Sequence, residues 1–354
     1  MSLAPLSGHT AVRKQLTDAV ASGRLPQVLL VTGPRGVGKQ RLALWLGQLL
    51  LCTGDWPRPC GRCAGCVQVL GLVHPDLHWF VPVATPKGDA DKQVDEASEL
   101  LEEAMAERRK SPFWTAPSGM FSHSLAAARL IQRQASLTAV AGGWRVFIIG
   151  GADRLVGQTG SEAAPNALLK LLEEPPQRSL FVLTTAEPGL VLPTIRSRAM
   201  PLRLGRLTDA EVRGFLASAR PELANDDAVN AAQGSIGAAI AGNSEAEVKA
   251  QEAARSFLEA AAAGPAQAAE RALRQIPWQA RGEFTAILDA MAEQLANRAQ
   301  RVLSPGAHVS NGNPAGMLAG VGRVMSARER AQGNVNPQLL LAVLADELVA
   351  LEAV

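Results

Sequence analysis

The chain has 354 residues, of which 47% are hydrophobic and 19% are charged. This length and composition indicate a globular protein of two or three domains and exclude an intrinsically disordered chain. The formal net charge of +2 and the 4% of aromatic residues, with no Tyr, exclude a strongly basic nucleic-acid coat and rows of base-stacking rings.

The N-terminal residues contain no apolar core of a signal peptide. The longest apolar stretch covers residues 42–52 and is interrupted by Gly47 and Gln48. It is far shorter than the ~20 residues that a membrane-spanning helix requires. The sequence therefore predicts a soluble, cytoplasmic protein with no membrane partner.

A first buried strand is predicted over 27–32, and it leads directly into a phosphate-loop (P-loop) motif of the form G-x-x-x-x-G-K. A helix is predicted next, over 40–51. The glycines of such a loop let backbone N–H groups surround a phosphate, and the lysine reaches the terminal phosphates of a nucleotide. The candidate nucleotide-binding residues are Gly33, Pro34, Arg35, Gly36, Val37, Gly38, Lys39 and Gln40.

Gln40 departs from the pattern of a working site. The residue after the lysine is normally Ser or Thr, because its hydroxyl group holds Mg²⁺. A carboxamide is longer and fits the octahedral shell of Mg²⁺ poorly. The motif therefore predicts the loop conformation, and it leaves open whether the loop binds ATP or is a degenerate loop that has lost its ligand.

All four cysteines follow the predicted helix, in the pattern C-x7-C-x2-C-x2-C. Clustering of this kind in a cytoplasmic chain indicates a metal site rather than a disulfide framework. Four thiolates leave no open coordination position, so we predict a structural Zn²⁺ held by Cys52, Cys60, Cys63 and Cys66. An iron–sulfur cluster and free thiols are the alternatives.

A second strand is predicted over 77–81, and an insertion follows it at about 86–124. Residues 91–110 are charged and carry apolar residues at helical spacing, and residues 111–119 are a proline-rich linker. We interpret the insertion as a surface helix on a solvated hairpin.

A third strand, predicted over 145–149, ends where a P-loop ATPase carries the Asp that holds Mg²⁺ and, usually, a Glu that activates water. The next two residues here are Gly150 and Gly151, which neither coordinate a metal nor accept a proton. Asp153 lies farther along, in the following turn. Together with Gln40, these glycines predict that the chain does not hydrolyse ATP.

An amphipathic helix over 166–174, stopped by two prolines, precedes a fourth predicted strand over 179–184. Residues 192–198 then form a short predicted helix with two arginines, before a weak fifth strand over 200–204. The spacing leaves two interpretations of Arg198. It belongs to a solvated basic turn, or it presents a guanidinium group to a phosphate bound by a neighbouring subunit.

Strand signals end near residue 205, so the predicted fold class is α/β followed by all-α. We predict an α/β core over 1–205, which includes the cysteine module at 52–66 and the insertion. A small helical unit follows over 206–244, beginning with a Thr/Asp helix-start signature at 208–209. Residues 245–354 are rich in Ala and are predicted to form an all-helical domain.

Several segments together resemble the bacterial clamp-loader subunits of DNA polymerase III, a family of the AAA+ class. The resemblance rests on N-A-L-L-K-L-L-E-E-P-P at 166–176, on two threonines at 184–185 and on P-T-I-R-S-R at 193–198. The four-cysteine module directly after the P-loop helix is a further shared feature. The resemblance covers about residues 5–245 and fades beyond, although G-N-V-N-P-Q at 333–338 is similar to the C-terminal collar of the family.

Within this family, the sequence is similar to the non-hydrolysing delta-prime type of subunit. Gln40, the glycine pair at 150–151 and Ala238 stand where the gamma/tau motor subunits have Ser or Thr, an Asp-Glu pair and a nucleotide-sensing Arg. Ser197 and Arg198 of the S-R-C pattern are kept, and Ala199 replaces its cysteine.

The resemblance implies an AAA+ P-loop parallel-sheet module with a zinc insertion, a helical lid and a helical C-terminal collar domain. It implies that Arg198, next to Ser197, is an arginine finger that completes the ATP site of a neighbouring gamma/tau subunit. The implied assembly is a hetero-pentamer with gamma/tau and delta subunits, which loads the sliding clamp on primed DNA. By itself the chain would not be an enzyme. The alternatives are an active AAA+ ATPase motor subunit and a zinc-containing nucleic-acid-binding module.

Overall fold

The computed structural model describes residues 3, 6–86, 90–111, 121–140, 143–156, 161–241, 245–276, 283–303, 313–331 and 335–354, without the side chains of 90, 91 and 245–247. The described residues fall into two compact units. The first contains those up to Ala241, and the second contains those from residue 245 onward. Each unit has its own hydrophobic core.

The first unit is built on a five-stranded, fully parallel sheet with the strand order β2-β3-β4-β1-β5. Every residue of β3 and β4 is buried, as expected for a parallel sheet that is covered on both faces. The strands are β1 (Val28–Thr32), β2 (Leu77–Phe80), β3 (Arg145–Gly150), β4 (Ser179–Thr185) and β5 (Met200–Arg203). All five predicted strands are confirmed, with shifts of one residue at most.

The strand register brings three strand ends together at one edge of the sheet. Thr32 at the end of β1 lies opposite Thr185 at the end of β4, and Thr184 lies opposite Gly150 at the end of β3. Loops that leave this edge therefore share one region of the surface, which is where parallel α/β sheets bind ligands.

Seven helices accompany the sheet in the described part of the first unit. The predicted helix after the P-loop is confirmed, and its residues 42–51 are all buried. The helices are α1 (Thr10–Ala21), α2 (Lys39–Leu51), α3 (Ala64–Leu70), α4 (Ala90–Lys110), α5 (Leu125–Ser136), α6 (Ala163–Glu173) and α7 (Pro193–Arg196).

The insertion departs from the predicted solvated hairpin. Its helix, α4, is present as predicted, and Glu102 and Glu103 on one face are exposed. The opposite face is buried, with Ala97 and Leu101 inside the protein and only 6% of Arg108 exposed. The expectation of a solvated element was wrong for this face, because local periodicity shows an apolar stripe without showing what covers it. The proline-rich linker at 111–119 lies, except for Ser111, outside the described residues.

Three short helices follow the sheet within the first unit: α8 (Asp209–Ala219), α9 (Asp226–Ala232) and α10 (Ile236–Ala241). They have a small core of their own, formed around Val212, Leu216 and Val229. The predicted helix start is confirmed as a capping box, in which Thr208 and Glu211 satisfy each other's backbone N–H groups. We call these three helices the lid.

The second unit is all-helical in its described residues, which confirms the predicted change from α/β to all-α. Its helices are α11 (Glu245–Ala263), α12 (Pro265–Leu273), α13 (Glu283–Leu303), α14 (Pro314–Ala331) and α15 (Pro337–Ala350). Gly264, with a φ angle of 125°, separates α11 from α12. Inside the unit, Arg328 of α14 is fully buried and forms an ion pair with Asp289 of α13.

Across both units, a search of the described residues finds no helix that is both long and apolar enough to span a bilayer.

Candidate functional site: a P-loop without a magnesium position

The P-loop connects β1 to α2 at the ligand-binding edge of the sheet. Gly36 and Gly38 have φ angles of 72° and 100°, which side chains rarely adopt. At Gly36 the surroundings also exclude a side chain, because a Cβ atom would lie 2.2 Å from the hydroxyl oxygen of Ser235. The glycine spacing of the motif is therefore required by the observed loop.

Lys39 is folded onto the loop that it follows. Its Nζ donates hydrogen bonds to the carbonyl oxygens of Gly33 and Pro34, at 2.8 and 2.6 Å. Burial, with a smaller contribution from the nearby Arg35, lowers the pKa of Lys39 to about 8, whereas Asp153 opposes the shift. The ammonium group remains mostly protonated at neutral pH, so the loop keeps the positive charge that a phosphate would meet.

The lid packs directly onto the P-loop. Ser235 donates a hydrogen bond from its hydroxyl group to the carbonyl oxygen of Arg35 at 3.0 Å, and the N–H of Gly237 donates to the carbonyl oxygen of Gly36, also at 3.0 Å. Ala238, the residue at the expected position of a nucleotide-sensing arginine, is exposed and carries no polar group. The lid therefore contacts the loop through its backbone and one hydroxyl group, without a cation at that position.

Gln40 and Gly150 meet at the side of the loop where an ATPase would hold its metal. The Gln40 carboxamide lies so close to Gly150 that a Cβ atom on this glycine would be 2.6 Å from Nε2 and 3.1 Å from Oε1. No side chain can occupy position 150 while Gln40 holds this conformation. The two departures from the ATPase pattern are thus parts of one packing arrangement.

These residues do not fit the Mg²⁺ that an active P-loop site implies. Mg²⁺ requires hard oxygen ligands, usually including a carboxylate. Gly150 and Gly151 supply no side-chain oxygen, and the carboxamide oxygen of Gln40 already accepts a hydrogen bond from Nη1 of Arg108 at 3.3 Å. A cation therefore faces the one side-chain oxygen that these three positions offer.

Arg108 comes from the buried face of the inserted helix α4. Its guanidinium group lies over the ring of Trp79, 4.2 Å from the ring centroid, which is close enough for a cation–π interaction. Burial lowers the pKa of Arg108 to about 9, and the positive charge of Arg41 contributes to this shift. The insertion thus delivers a buried cation to the P-loop side of the sheet.

His123 forms a hydrogen bond with the backbone of Gly150. Its Nε2 and the carbonyl oxygen of Gly150 are 2.9 Å apart, and only 2% of the residue is exposed. Burial lowers the pKa of His123 to about 4, so the ring is neutral near pH 7 and donates this hydrogen bond from Nε2. The end of β3 is therefore fixed between Gln40 and His123.

Asp153 is the nearest acid after β3, and it lies in a short 3-10 helix (Ala152–Arg154). Its Oδ1 accepts a hydrogen bond from the Thr185 hydroxyl group at 2.5 Å. The carboxylate is near enough to Lys39 to favour the protonated form of that amine. Asp153 thus links the turn after β3 to the end of β4, close to the P-loop. Its place in the turn after β3 agrees with the prediction.

Arg198 is a partly exposed residue two positions after the end of α7, and its guanidinium group bonds to a carboxylate and to a backbone carbonyl oxygen. Its Nη2 and Nε lie 3.2 and 3.4 Å from Oε2 of Glu173 at the end of α6, and Nη1 donates to the carbonyl oxygen of Thr194 at 3.0 Å. Ser197 caps the same turn by donating to Thr194 at 3.0 Å. An exposed ion pair of this kind is weak, so the guanidinium group could exchange Glu173 for a phosphate at small cost.

The four cysteines converge although their Cα atoms belong to different elements. Cys52 ends α2, and Cys63 is the N-cap of α3. The Sγ atoms of Cys52, Cys60, Cys63 and Cys66 all lie within 4.8 Å of one another. Four sulfur ligands in such a group could hold one metal ion.

Backbone N–H groups point at three of these sulfur atoms. The N–H groups of Cys60, Cys63 and Cys66 donate to the sulfur atoms of Cys52, Cys60 and Cys63, at 3.5, 3.4 and 3.4 Å. Hydrogen bonds of this kind favour thiolates, which are the forms that bind metals. The loop therefore favours thiolates that could bind a metal ion, and all four cysteines are free.

Sequence reasoning missed three residues at the P-loop: Arg108, His123 and Ser235. Arg108 carried a usable signal, because it is four residues from Ala104 and seven from Leu101 on the same helical face. The contacts of His123 and Ser235 join residues 27 and 200 positions apart, so no local pattern marks them.

Comparisons with known proteins bear on most of the first unit. A family model described as "DNA polymerase III, delta subunit" matches residues 8–208. The chain is 32% identical to the DNA polymerase III subunit gamma/tau of Mycobacterium bovis, over 61% of this chain and 31% of that protein. It is 31% identical to the DNA polymerase III subunit delta' of Escherichia coli, over 52% of this chain and 44% of that protein.

A third relative is the delta' subunit of Bacillus subtilis, at 28% identity over 54% of this chain and 46% of that protein. The chain thus spans less than half the length of these relatives. Among solved structures, a DNA polymerase III gamma subunit-related protein of Thermotoga maritima aligns with 94% of this chain at 14% identity and a TM-score of 0.37.

Proposed function

The chain belongs to the DNA polymerase III delta subunit family, and from this premise we propose that it acts in DNA replication as a clamp-loader subunit of the delta-prime type. Identity alone does not separate delta-prime from gamma/tau, since the relatives of both kinds are 28–32% identical to the chain. The residues of the P-loop site favour the delta-prime type.

The contact between Gln40 and Gly150 carries the proposal that the chain does not hydrolyse ATP. An active site needs a hydroxyl group and a carboxylate on Mg²⁺ at these two positions. Here the space for the carboxylate is filled by the Gln40 carboxamide. Ala238 adds a third departure, because no arginine of the lid stands there to meet a nucleotide. The chain is therefore not an enzyme by itself.

Arg198 is the residue that we propose to act in catalysis, at the ATP site of a neighbouring gamma/tau subunit. The exposed ion pair with Glu173 holds its guanidinium group ready at the surface. An arginine supplied in trans to a phosphoryl-transfer site accelerates the reaction by ~10³–10⁵. Ser197 supports the role by fixing the turn that carries Arg198.

The partners follow from this role. We propose a hetero-pentamer with gamma/tau and delta subunits, which opens the sliding clamp and places it on primed DNA. In this assembly the lid and the second unit would serve as the AAA+ lid and the collar. A replication subunit of this kind would work in the cytoplasm.

The cysteine group is proposed to hold a structural Zn²⁺. A tetrahedral ion with Zn–S bonds of about 2.3 Å would place its sulfur ligands about 3.8 Å apart. The sulfur atoms of Cys63 and Cys52 are 3.7 Å apart. This spacing favours a single ion over an iron–sulfur cluster, whose several iron atoms would hold the sulfur atoms farther apart.

The test is ATP turnover by the purified chain, alone and then mixed with gamma/tau and delta subunits, sliding clamp and primed DNA. We expect no turnover by the chain alone. In the mixture, Arg198→Ala should remove the stimulation that this chain brings, whereas the matched variant Arg196→Ala should not, because Arg196 is an exposed neighbour on the same turn.

Lys39→Ala should leave the ATPase activity of the mixture nearly intact. The alternative, an active AAA+ motor subunit, has one observation in its favour, namely that Asp153 lies near Lys39. Turnover by the chain alone that is lost in Lys39→Ala and in Asp153→Asn would establish that alternative and overturn the proposal.

A further inference from the structure

Cationic side chains collect around the P-loop of this chain. Lys39 belongs to the loop, Arg41 follows it on α2, and Arg108 reaches it from the inserted helix α4. Burial lowers the pKa of Arg41 to about 10, and the charge of Arg41 in turn acts on Arg108. Three cations therefore gather at one phosphate-loop motif, where their positive charge favours a bound anion.

The position of Arg108 is defined by two contacts and by its burial. It donates to Oε1 of Gln40, it stacks on Trp79, and only 6% of it is exposed. Gln40 in turn packs on Gly150, whose missing side chain makes the room. The four residues form one continuous arrangement from the insertion to the first turn of α2.

This arrangement stands where an active P-loop holds its metal. In such a site Mg²⁺ brings positive charge to the β- and γ-phosphates and is held by a hydroxyl group and a carboxylate. Here those two groups are replaced by Gln40 and Gly150, and a permanent guanidinium cation bonds the carboxamide oxygen. A divalent cation entering this space would be repelled by Arg108 and would find no carboxylate at Gly150 or Gly151.

We propose that Arg108, acting through Gln40, takes over the charge that Mg²⁺ supplies in an active P-loop, so that this loop accepts nucleoside phosphates free of metal and discriminates against their magnesium complexes. This goes beyond the proposed function, which concerns a neighbour's ATP site and does not require a ligand in this loop. Arg108 is a positioning and selectivity residue in this role, since Gln40 is its contact with the loop.

The direct test is calorimetric titration of ADP into the full chain, once in EDTA and once in excess Mg²⁺. We expect ADP to bind at least as tightly in EDTA as in Mg²⁺, and Lys39→Ala to weaken binding about tenfold or more, as expected for the loss of a charge-assisted hydrogen bond. Binding that tightens in Mg²⁺ overturns the proposal, and so does the absence of ADP binding in both buffers.

A second pair of variants tests the selectivity itself. The double variant Gln40→Thr, Gly150→Asp restores the two metal ligands. The shorter threonine also makes room for the aspartate, which would otherwise collide with the Gln40 carboxamide. We expect ADP affinity in this double variant to rise about tenfold on addition of Mg²⁺, because the added carboxylate offsets the charge of Arg108. If the folded double variant binds ADP equally well with and without Mg²⁺, this space is not the position of the metal.

Arg108→Lys and Arg108→Gln separate charge from packing. Both shorten the side chain, but only the lysine keeps the charge, so ADP affinity in EDTA should be largely kept in Arg108→Lys and reduced about tenfold in Arg108→Gln. Equal losses in the two variants would assign Arg108 a packing role only. ADP binding is measured on the chain alone and ATPase stimulation on the mixture of subunits, so failure of this inference and failure of the proposed function are seen in different experiments.

Discussion

The buried ring of His123 makes the first unit sensitive to acid. The ring is neutral in the folded protein, where it donates to the carbonyl oxygen of Gly150, and burial lowers its pKa from 6.5 to about 4. In the unfolded chain the same ring takes up a proton near its ordinary pKa of about 6.5. Between these two pH values the unfolded state binds more protons than the folded state, so the free energy of unfolding falls as the pH falls.

The magnitude follows from the two pKa values. Above about pH 7 the ring is neutral in both states and costs nothing. At about pH 5 the unfolded ring is protonated and the folded ring is not, which lowers the free energy of unfolding by about 2 kcal/mol. Below pH 4 the loss approaches its limit of about 3 kcal/mol, because each pKa unit corresponds to about 1.4 kcal/mol.

The assay is urea unfolding followed by tryptophan fluorescence, for the natural chain and for His123→Gln, at about pH 7.5 and about pH 5. Glutamine can donate to the Gly150 carbonyl oxygen but does not titrate. Between the two pH values, the free energy of unfolding of the variant should fall by about 2 kcal/mol less than that of the natural chain. His78, whose pKa burial also lowers to about 4, is present in both proteins and cancels in the comparison.

The value at pH 7.5 reports how well glutamine replaces the ring, so packing and titration are measured separately. Equal acid sensitivity in the two proteins would refute the reasoning, since it would mean that His123 titrates alike in the folded and unfolded states.

Three further predictions concern the metal group, the P-loop and the lid. Cys66→Ser should abolish metal binding, measured by elemental analysis of the dialysed protein, and lower its melting temperature, and full retention of metal would contradict the four-sulfur site. Gly36→Ala should destabilise the first unit by about 1–3 kcal/mol, because the new methyl group would meet the Ser235 hydroxyl group and the φ angle is positive. An unchanged urea midpoint would show that Ser235 of the lid is not packed closely against Gly36. Thr208→Ala should cost about 1 kcal/mol by breaking the capping box with Glu211, and Thr208→Ser, which keeps the hydroxyl group, should restore most of the loss.

The sheet and the P-loop were predictable because their causes are local. Strands β1, β3 and β4 are short apolar runs. Runs of this kind are typical of strands in a parallel sheet that is buried on both faces. The loop glycines are set by backbone conformation, which depends on each residue itself. The cysteine group was predictable for a related reason, since close spacing along the chain forces the sulfur atoms together.

The inserted helix shows where this reasoning failed. Periodicity predicted the helix, but its charge suggested solvent on all sides. The structure places Arg108 under the P-loop, in contact with Gln40, which is 68 residues earlier in the chain. In a sequence, an arginine on an apolar helix face is either solvated or buried with partners. The sequence does not show those partners, and only the tertiary structure identifies them.

The sequence by itself determined which elements form, where the P-loop lies and which ATPase groups are absent, because these properties belong to single residues and to short stretches. The tertiary structure decided that Gln40 and Gly150 fill one space, that Arg108 stands beside them, and that Ser235 closes on the loop. Those contacts join segments that are distant along the chain, and their energies depend on packing distance and on burial of charge, which no local pattern encodes.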